Sequence, residues 1–209
     1  MMRIRIIIGL VFTISISFGQ IPKKKLLKQQ APEEFMVEFQ TTKGNFTIKA
    51  HRSWAPKGVD RLYQLVISGF YNDIAIFRVQ PEYVVQFGIS SNSELNKAWE
   101  YYSLEDEPVV RGNSKGTVSF ARGGPETRTT QLFINVNDNQ KLDTLAYSGV
   151  VGFPCIAEVV EGMDVVHSFY GEYGFDPAED QDSIYSIGNS FLERKFPNLD
   201  YISRAILKK

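Results

Sequence analysis

Few residues in this chain have side chains able to do chemistry, and their types exclude more reactions than they allow. Only two histidines occur, His51 and His167, and neither belongs to an H-x-x-x-H or Cys/His pattern that would hold a metal. The single cysteine, Cys155, has no partner for an internal disulfide and no neighbour that would activate a thiolate, so it reads as a small packing residue. A P-loop and a G-x-G-x-x-G are both absent, which removes the signals of an NTPase and of a dinucleotide enzyme. Gly123-Gly124-Pro125 looks like a glycine loop, but proline lacks the amide hydrogen a phosphate would need, and a rigid turn is the better reading. What stands out is Arg78, within Phe77-Arg78-Val79-Gln80-Pro81-Glu82-Tyr83-Val84-Val85-Gln86-Phe87-Gly88. A guanidinium stays charged and offers N–H groups in a rigid fork, so its chemistry here is directed donation to an electron pair, with no proton gained or lost.

The elements that must position this arginine are mostly short strands. Phe35, Val37, Phe39 and Thr41 alternate with polar neighbours, and after Lys43-Gly44-Asn45 the alternation resumes at Phe46, Ile48 and Ala50, predicting a hairpin. Pro56 opens a helical pattern through Val59, Leu62, Tyr63 and Val66 that ends at Ser68-Gly69. Apolar runs at Ile74–Val79, Tyr83–Phe87, Gly116–Ala121, Leu132–Val136 and Ile156–Val160 read as further strands. Met163–Tyr170 predicts a second helix and Gly171–Asp182 is polar. Ile184–Phe196 predicts a third helix stopped by Pro197, and Tyr201–Leu207 a last strand. Many short strands with few helices mean a mainly β domain, an antiparallel sandwich or barrel.

Composition bounds the rest. With 209 residues, 43% of them hydrophobic, the chain can bury a core as one domain. Its 23 basic and 24 acidic residues nearly cancel, so no overall field draws it to nucleic acid or an acidic membrane, and any partner is recognised locally. Arg3 and Arg5 precede the apolar run Ile6–Phe18, with Ser17 and Gly19 placed for cleavage, so residues 1–19 read as a signal peptide. A membrane anchor is the alternative, but the run is shorter than the ~20 residues that span a bilayer. Residues 20–33, rich in lysine and glutamine, read as a solvated linker, and 34–209 as the folded domain. His51 is expected in solvent at a strand end and His167 on the second helix, neither with a role.

Four segments in order resemble the cyclophilin family: Phe77–Gly88, Gly116–Gly124, Thr130-Gln131-Leu132-Phe133-Ile134-Asn135, and Phe153–Val166 with Glu161-Gly162-Met163 in its second half. The resemblance runs from about Glu34 to Phe169 and includes the last strand. It implies a closed eight-stranded antiparallel β-barrel capped by two α-helices, to which the helix at Ile184–Phe196 and the stretch Ile89–Glu100, with Trp99, are additions. It also implies peptidyl-prolyl cis-trans isomerase activity, with no cofactor and no metal. Its partners would be proline-containing polypeptides in the periplasm or outside the cell, with no nucleic acid, no stable membrane insertion after cleavage, and a monomeric enzyme. Arg78 and Gln86 would be catalytic, Gln86 holding the substrate carbonyl. The backbone at Arg122 would pair with the peptide as an added strand. Tyr83, Val84, Gln131, Phe133, Leu142 and Phe153 would line the substrate pocket, and Glu105-Asp106-Glu107 would form a solvated acidic loop. Three pocket positions depart from the family pattern: Phe153 stands for a histidine, Lys141 for a tryptophan and Arg122 for an asparagine. These bear on peptide selectivity and on cyclosporin-type drug binding.

The reaction explains why an arginine would be central. Partial double-bond character sets a barrier of about 18–20 kcal/mol to rotation about the C–N bond. For X-Pro the two ground states differ by only about 0.5–1 kcal/mol. A catalyst must therefore bind the twisted amide selectively, and in that state the prolyl nitrogen regains a lone pair that a guanidinium can meet. Two other readings stand beside this one. One is a cyclophilin-like peptide-binding module or holdase with little or no turnover. The other is a small-molecule carrier barrel, disfavoured because the aromatic-rich strands have bulk enough to fill a small barrel.

Overall fold

Alternation of apolar and polar residues places Val37 opposite Ile48 and Phe39 opposite Phe46, all four fully buried, in the hairpin of β1 (Glu34–Thr41) and β2 (Gly44–His51). The computed structural model describes residues 19–208, so residues 1–18 of the expected signal peptide lie outside the described residues. The strands continue as β3 (Ile74–Ala75), β4 (Arg78–Val79), β5 (Val84–Phe87), β6 (Thr117–Phe120), β7 (Leu132–Asn135), β8 (Ala146–Tyr147), β9 (Val150–Val151), β10 (Cys155–Glu161) and β11 (Tyr201–Lys208). The helices are α1 (Lys24–Leu27), α2 (Pro56–Ile67), α3 (Ser93–Glu100), α4 (Lys141–Thr144), α5 (Met163–His167), α6 (Asp176–Glu179), α7 (Gln181–Ile187) and α8 (Asn189–Lys195).

One curled antiparallel sheet of nine strands runs in the order β3-β11-β1-β2-β10-β6-β7-β5-β4, and β8 and β9 form a separate hairpin. The closed eight-stranded barrel expected from the resemblance is therefore corrected. The run Ile74–Val79 is not one strand but two, broken at Ile76-Phe77. Ile76 donates its N–H to the Asp200 carbonyl and packs in the main core, whereas Phe77 packs in a second cluster. β3 then pairs with β11 and β4 with β5, so the two edges are joined by two residues of chain and not by a ladder.

The inside of the curl is the main core. It contains Val79, Val85, Ile134, Val118 and Ala157, which lie next to one another across five strands, together with the buried face of α2. No side chain of its own caps α2 at Ala55. The Glu107 carboxylate does so from fifty residues away, accepting from the N–H groups of Lys57 (2.7 Å) and Gly58 (3.0 Å). Its side chain is 6% exposed and pairs with the 1% exposed Arg128, so this part of the acidic stretch is a buried anchor and not a solvated loop. His51 does end β2, but it is not solvated: it stacks on Trp54 and bonds Glu34 and Glu158.

Other expectations shift for local reasons. Residues 20–33, expected as a solvated linker, contain α1 and lie against α2: Gln64 donates to the Leu27 and Gln29 carbonyls, and Asp60 accepts from the Ala31 N–H. Part of Ile89–Glu100 is the helix α3, capped by Asn92 and burying Trp99 completely. The second helix stops at His167, short of Tyr170. The third helix is split into α7 and α8 by Gly188, at φ +75° and ψ −152°, where an added Cβ would stand 2.3 Å from the Ser91 carbonyl oxygen. Replacing Gly188 by alanine therefore lowers stability by roughly 1–3 kcal/mol, a loss read directly as a lower thermal midpoint. An unchanged midpoint would mean that the neighbouring backbone accommodates a methyl group without strain.

Candidate active site

Strand register assembles the site. Arg78 lies opposite Gln86, Gln86 opposite Phe133, and Phe133 opposite Ser119. Directly paired residues project from the same face, so this row stands on the outer side of the sheet while the neighbouring row, Val79-Val85-Ile134-Val118, fills the core. Val84, two residues from Gln86, joins Phe133 and Leu142 in a separate buried cluster against which Tyr83, Ala121 and Phe153 pack. The result is a groove of about 700 Å³. All nine residues expected at the site line it: Arg78, Tyr83, Val84, Gln86, Arg122, Gln131, Phe133, Leu142 and Phe153.

The floor is held by polar groups that the sequence did not single out. Asn113 donates to Asp143 (2.7 Å) and to the Phe153 carbonyl (2.9 Å), and accepts from Ser119 and Asn135. Asn139 donates to the Tyr83 carbonyl and to Asn135. The walls of the apolar slot are thus pinned by buried amides. Cys155 sits beside this network, fully buried and with its thiol pKa pushed up by burial, in keeping with a packing residue.

Arg78 is half-buried, and burial draws its pKa down from the ordinary guanidinium value, partly opposed by Tyr83. Nε and Nη2 donate to Gln80 Oε1, and Nη1 donates to Gln86 Oε1 at 2.9 Å. Three of the five N–H groups of a guanidinium are so engaged, and Arg78 itself lines the groove. Gln86 Nε2 donates to Gln131 Oε1 (2.8 Å), and Gln131 Nε2 donates to Gln181 Oε1 and Tyr185 Oη. Gln131 is therefore fully bonded within the protein, and it supports Gln86 instead of offering itself freely to a substrate. The three departures from the family pattern also have definite partners. Arg122 stacks on Phe153 at 4.6 Å and donates from Nη2 to the Val150 and Gly152 carbonyls, tying the β8–β9 hairpin to the groove, and Lys141 Nζ lies 5.6 Å from the Tyr83 ring centre.

Phe175, Gln181 and Tyr185 also line the groove, and sequence reading missed them. The only local signal was aromatic residues, Tyr173 and Phe175, inside an otherwise polar stretch. From the sequence no G-x-S-x-G elbow is expected, yet by letters alone Gly112-Asn113-Ser114-Lys115-Gly116 fits that hydrolase string. Ser114 lies in the turn entering β6, where its carbonyl accepts from Thr117, and not between a strand and a helix; His51 is bonded elsewhere. The string therefore forms no nucleophile elbow.

The comparisons agree with this geometry. The family model described as cyclophilin type peptidyl-prolyl cis-trans isomerase/CLD matches residues 36–188. A peptidyl-prolyl cis-trans isomerase of Acinetobacter baylyi is 32% identical over 142 residues, covering 68% of this chain and 74% of that protein. Peptidyl-prolyl cis-trans isomerase B of Escherichia coli is 35% identical over 141 residues, covering 65% and 84%. A cyclophilin type isomerase of Cryptosporidium parvum superposes with a TM-score of 0.61 at 15% identity, over 84% of this chain and 98% of that one, a likeness of fold; the same protein was also solved in the presence of the dipeptide Ala-Pro. Because the matched span contains every groove residue from Arg78 to Tyr185, the chain belongs to the cyclophilin type peptidyl-prolyl cis-trans isomerase family and is an enzyme of that isomerase class.

Proposed function

We propose that the chain accelerates cis–trans isomerisation of X-Pro bonds in exported polypeptides, with Arg78 stabilising the twisted prolyl amide. The observation that carries this is a half-buried, permanently charged guanidinium, only three of whose five N–H groups bond within the protein, lining one groove with the apolar residues Val84, Phe133 and Leu142. The pyrrolidine ring enters the slot, the guanidinium donates to the prolyl nitrogen as it becomes pyramidal, and the second N–H of the Gln86 amide meets the preceding carbonyl. The Ala-Pro dipeptide present with the Cryptosporidium parvum protein supports a proline-containing ligand. The basic and apolar start of the sequence, residues 1–19, supports export.

A protease-coupled assay on a short X-Pro peptide tests the reading: conversion is expected well above the uncatalysed rate, and conversion at the uncatalysed rate despite peptide binding would leave only a binding module. The pH profile is a second check. Arg78 is bonded to amides and stacked on aromatic rings, and an arginine does not lose its proton in a protein, so kcat/KM is expected to vary by less than about twofold from about pH 6 to 9. A bell-shaped profile in that window would show that another group carries the step.

A further inference from the structure

The segment from Gly171 to Ser190 carries none of the four motifs on which the resemblance was read, although the family model extends to residue 188, and it reaches Arg78. The Phe175 ring centre is 4.8 Å from the Arg78 guanidinium carbon, nearer than that of Tyr83 at 5.6 Å. Phe175 is 43% exposed and lines the groove, so its ring is not simply buried for packing.

The segment is built to hold that ring in place. Ala178, Ile184, Leu192 and Phe196 bury a second apolar cluster against Ala75, Phe77 and Ile89, so the arginine's own chain segment is packed beneath it. α6 packs on β4, the strand that carries Arg78. From α7, Gln181 and Tyr185 take both amide hydrogens of Gln131. That turns the Gln131 oxygen toward Gln86 and, in turn, the Gln86 oxygen toward Arg78 Nη1. Each amide has one acceptor side and one donor side, so orientation at one end of the relay sets orientation at the other.

Resting on the isomerase reading, we propose that Phe175 is a positioning residue: its ring covers the guanidinium and holds Arg78 toward the groove while the relay from α7 anchors Nη1. An aromatic face attracts a cation that an aliphatic side chain of equal bulk only touches. Without the ring the guanidinium gains freedom to turn to water, and the donor is no longer waiting where the lone pair develops. The apolar slot is made by other residues and keeps its shape. The loss therefore falls on kcat and spares KM.

Phe175→Leu removes the π face and keeps apolar bulk, whereas Phe175→Tyr keeps the ring. Turnover of an X-Pro peptide is measured by exchange NMR across peptide concentrations, for each variant in the wild-type and the Arg78→Ala backgrounds. Phe175→Leu is expected to lower kcat by about tenfold with KM within about twofold, and Phe175→Tyr to retain most of it. In the Arg78→Ala background Phe175→Leu is expected to add no further loss, which a general packing defect would not reproduce. Wild-type kcat in Phe175→Leu, equal impairment in both variants, or the same fractional loss without Arg78 would each overturn the inference. A wild-type protein that does not accelerate the peptide would sink the isomerase reading and the inference with it, whereas an active wild type with an indifferent Phe175→Leu sinks the inference alone.

Discussion

Arg78→Ala is expected to lower kcat/KM on an X-Pro peptide by roughly a hundred- to thousand-fold, the range seen when one preorganised donor to a developing charge is removed. The size follows from the site. On the proposed reading the slot of Val84, Phe133 and Leu142 takes the proline ring alike in planar and twisted states, and so would contribute affinity without rate. In the proposed mechanism Arg78 is the charged donor that meets the nitrogen only when it is no longer planar. Its own place is fixed by Gln80, Gln86, Tyr83 and Phe175, so little reorganisation is needed during the reaction. Arg78→Lys keeps the charge but not the fork that Gln80 and Gln86 hold at once, and is expected to recover only a small part of the rate. Peptide affinity in Arg78→Ala, followed by NMR titration, is expected to fall far less than turnover. Near-wild-type turnover in Arg78→Ala would transfer the chemistry to another group.

Glu107→Ala carries the largest expected cost in stability, about 3–5 kcal/mol, the range for removing one partner of a buried ion pair. Arg128 is completely buried, and its Nε and Nη1 have no partner among the described residues. Its charge is met by the Glu107 carboxylate at 3.1 Å and by the Glu105 carbonyl. The same carboxylate caps the first turn of α2, so alanine leaves both a buried cation and two helix N–H groups unsatisfied. Glu107→Gln keeps an acceptor for the helix while losing the charge, and is expected to fall between the two. Equilibrium unfolding in urea measures both, and a loss below about 1 kcal/mol in Glu107→Ala would show that Arg128 finds another partner or water. The residues that follow Arg128 lead to the groove: Arg61 donates to the Thr129 carbonyl and Tyr71 to that of Thr130, in the segment that runs through Gln131 into β7.

What the sequence determined by itself is the local code and the chemistry written in contiguous residues. Period-two alternation through Val37, Phe39, Phe46 and Ile48 sets one face of a hairpin, because successive side chains of a strand point to opposite sides whatever surrounds them. The segments around Arg78, Gln86 and Phe133 were legible as short apolar runs between turn residues and by their resemblance to the cyclophilin family, although the run carrying Arg78 is two strands and not one. Asn92 ahead of Ser93-Glu94 was a legible helix cap in the stretch Ile89–Glu100, which was read only as an addition to the family pattern. Tertiary structure alone decided what depends on partners far away in the chain. Ile76 and Phe77 are both apolar, so no pattern could show that one turns into the main core and the other into a second cluster, leaving the sheet unclosed by a ladder. Glu107 looks like any solvated carboxylate until folding brings it to α2 and Arg128. Phe175, Gln181 and Tyr185 lie about a hundred residues from Arg78, and hydrogen bonds and ring contacts across such separations leave no periodicity in the sequence, because they are set by the packing of whole elements and not by local backbone preference.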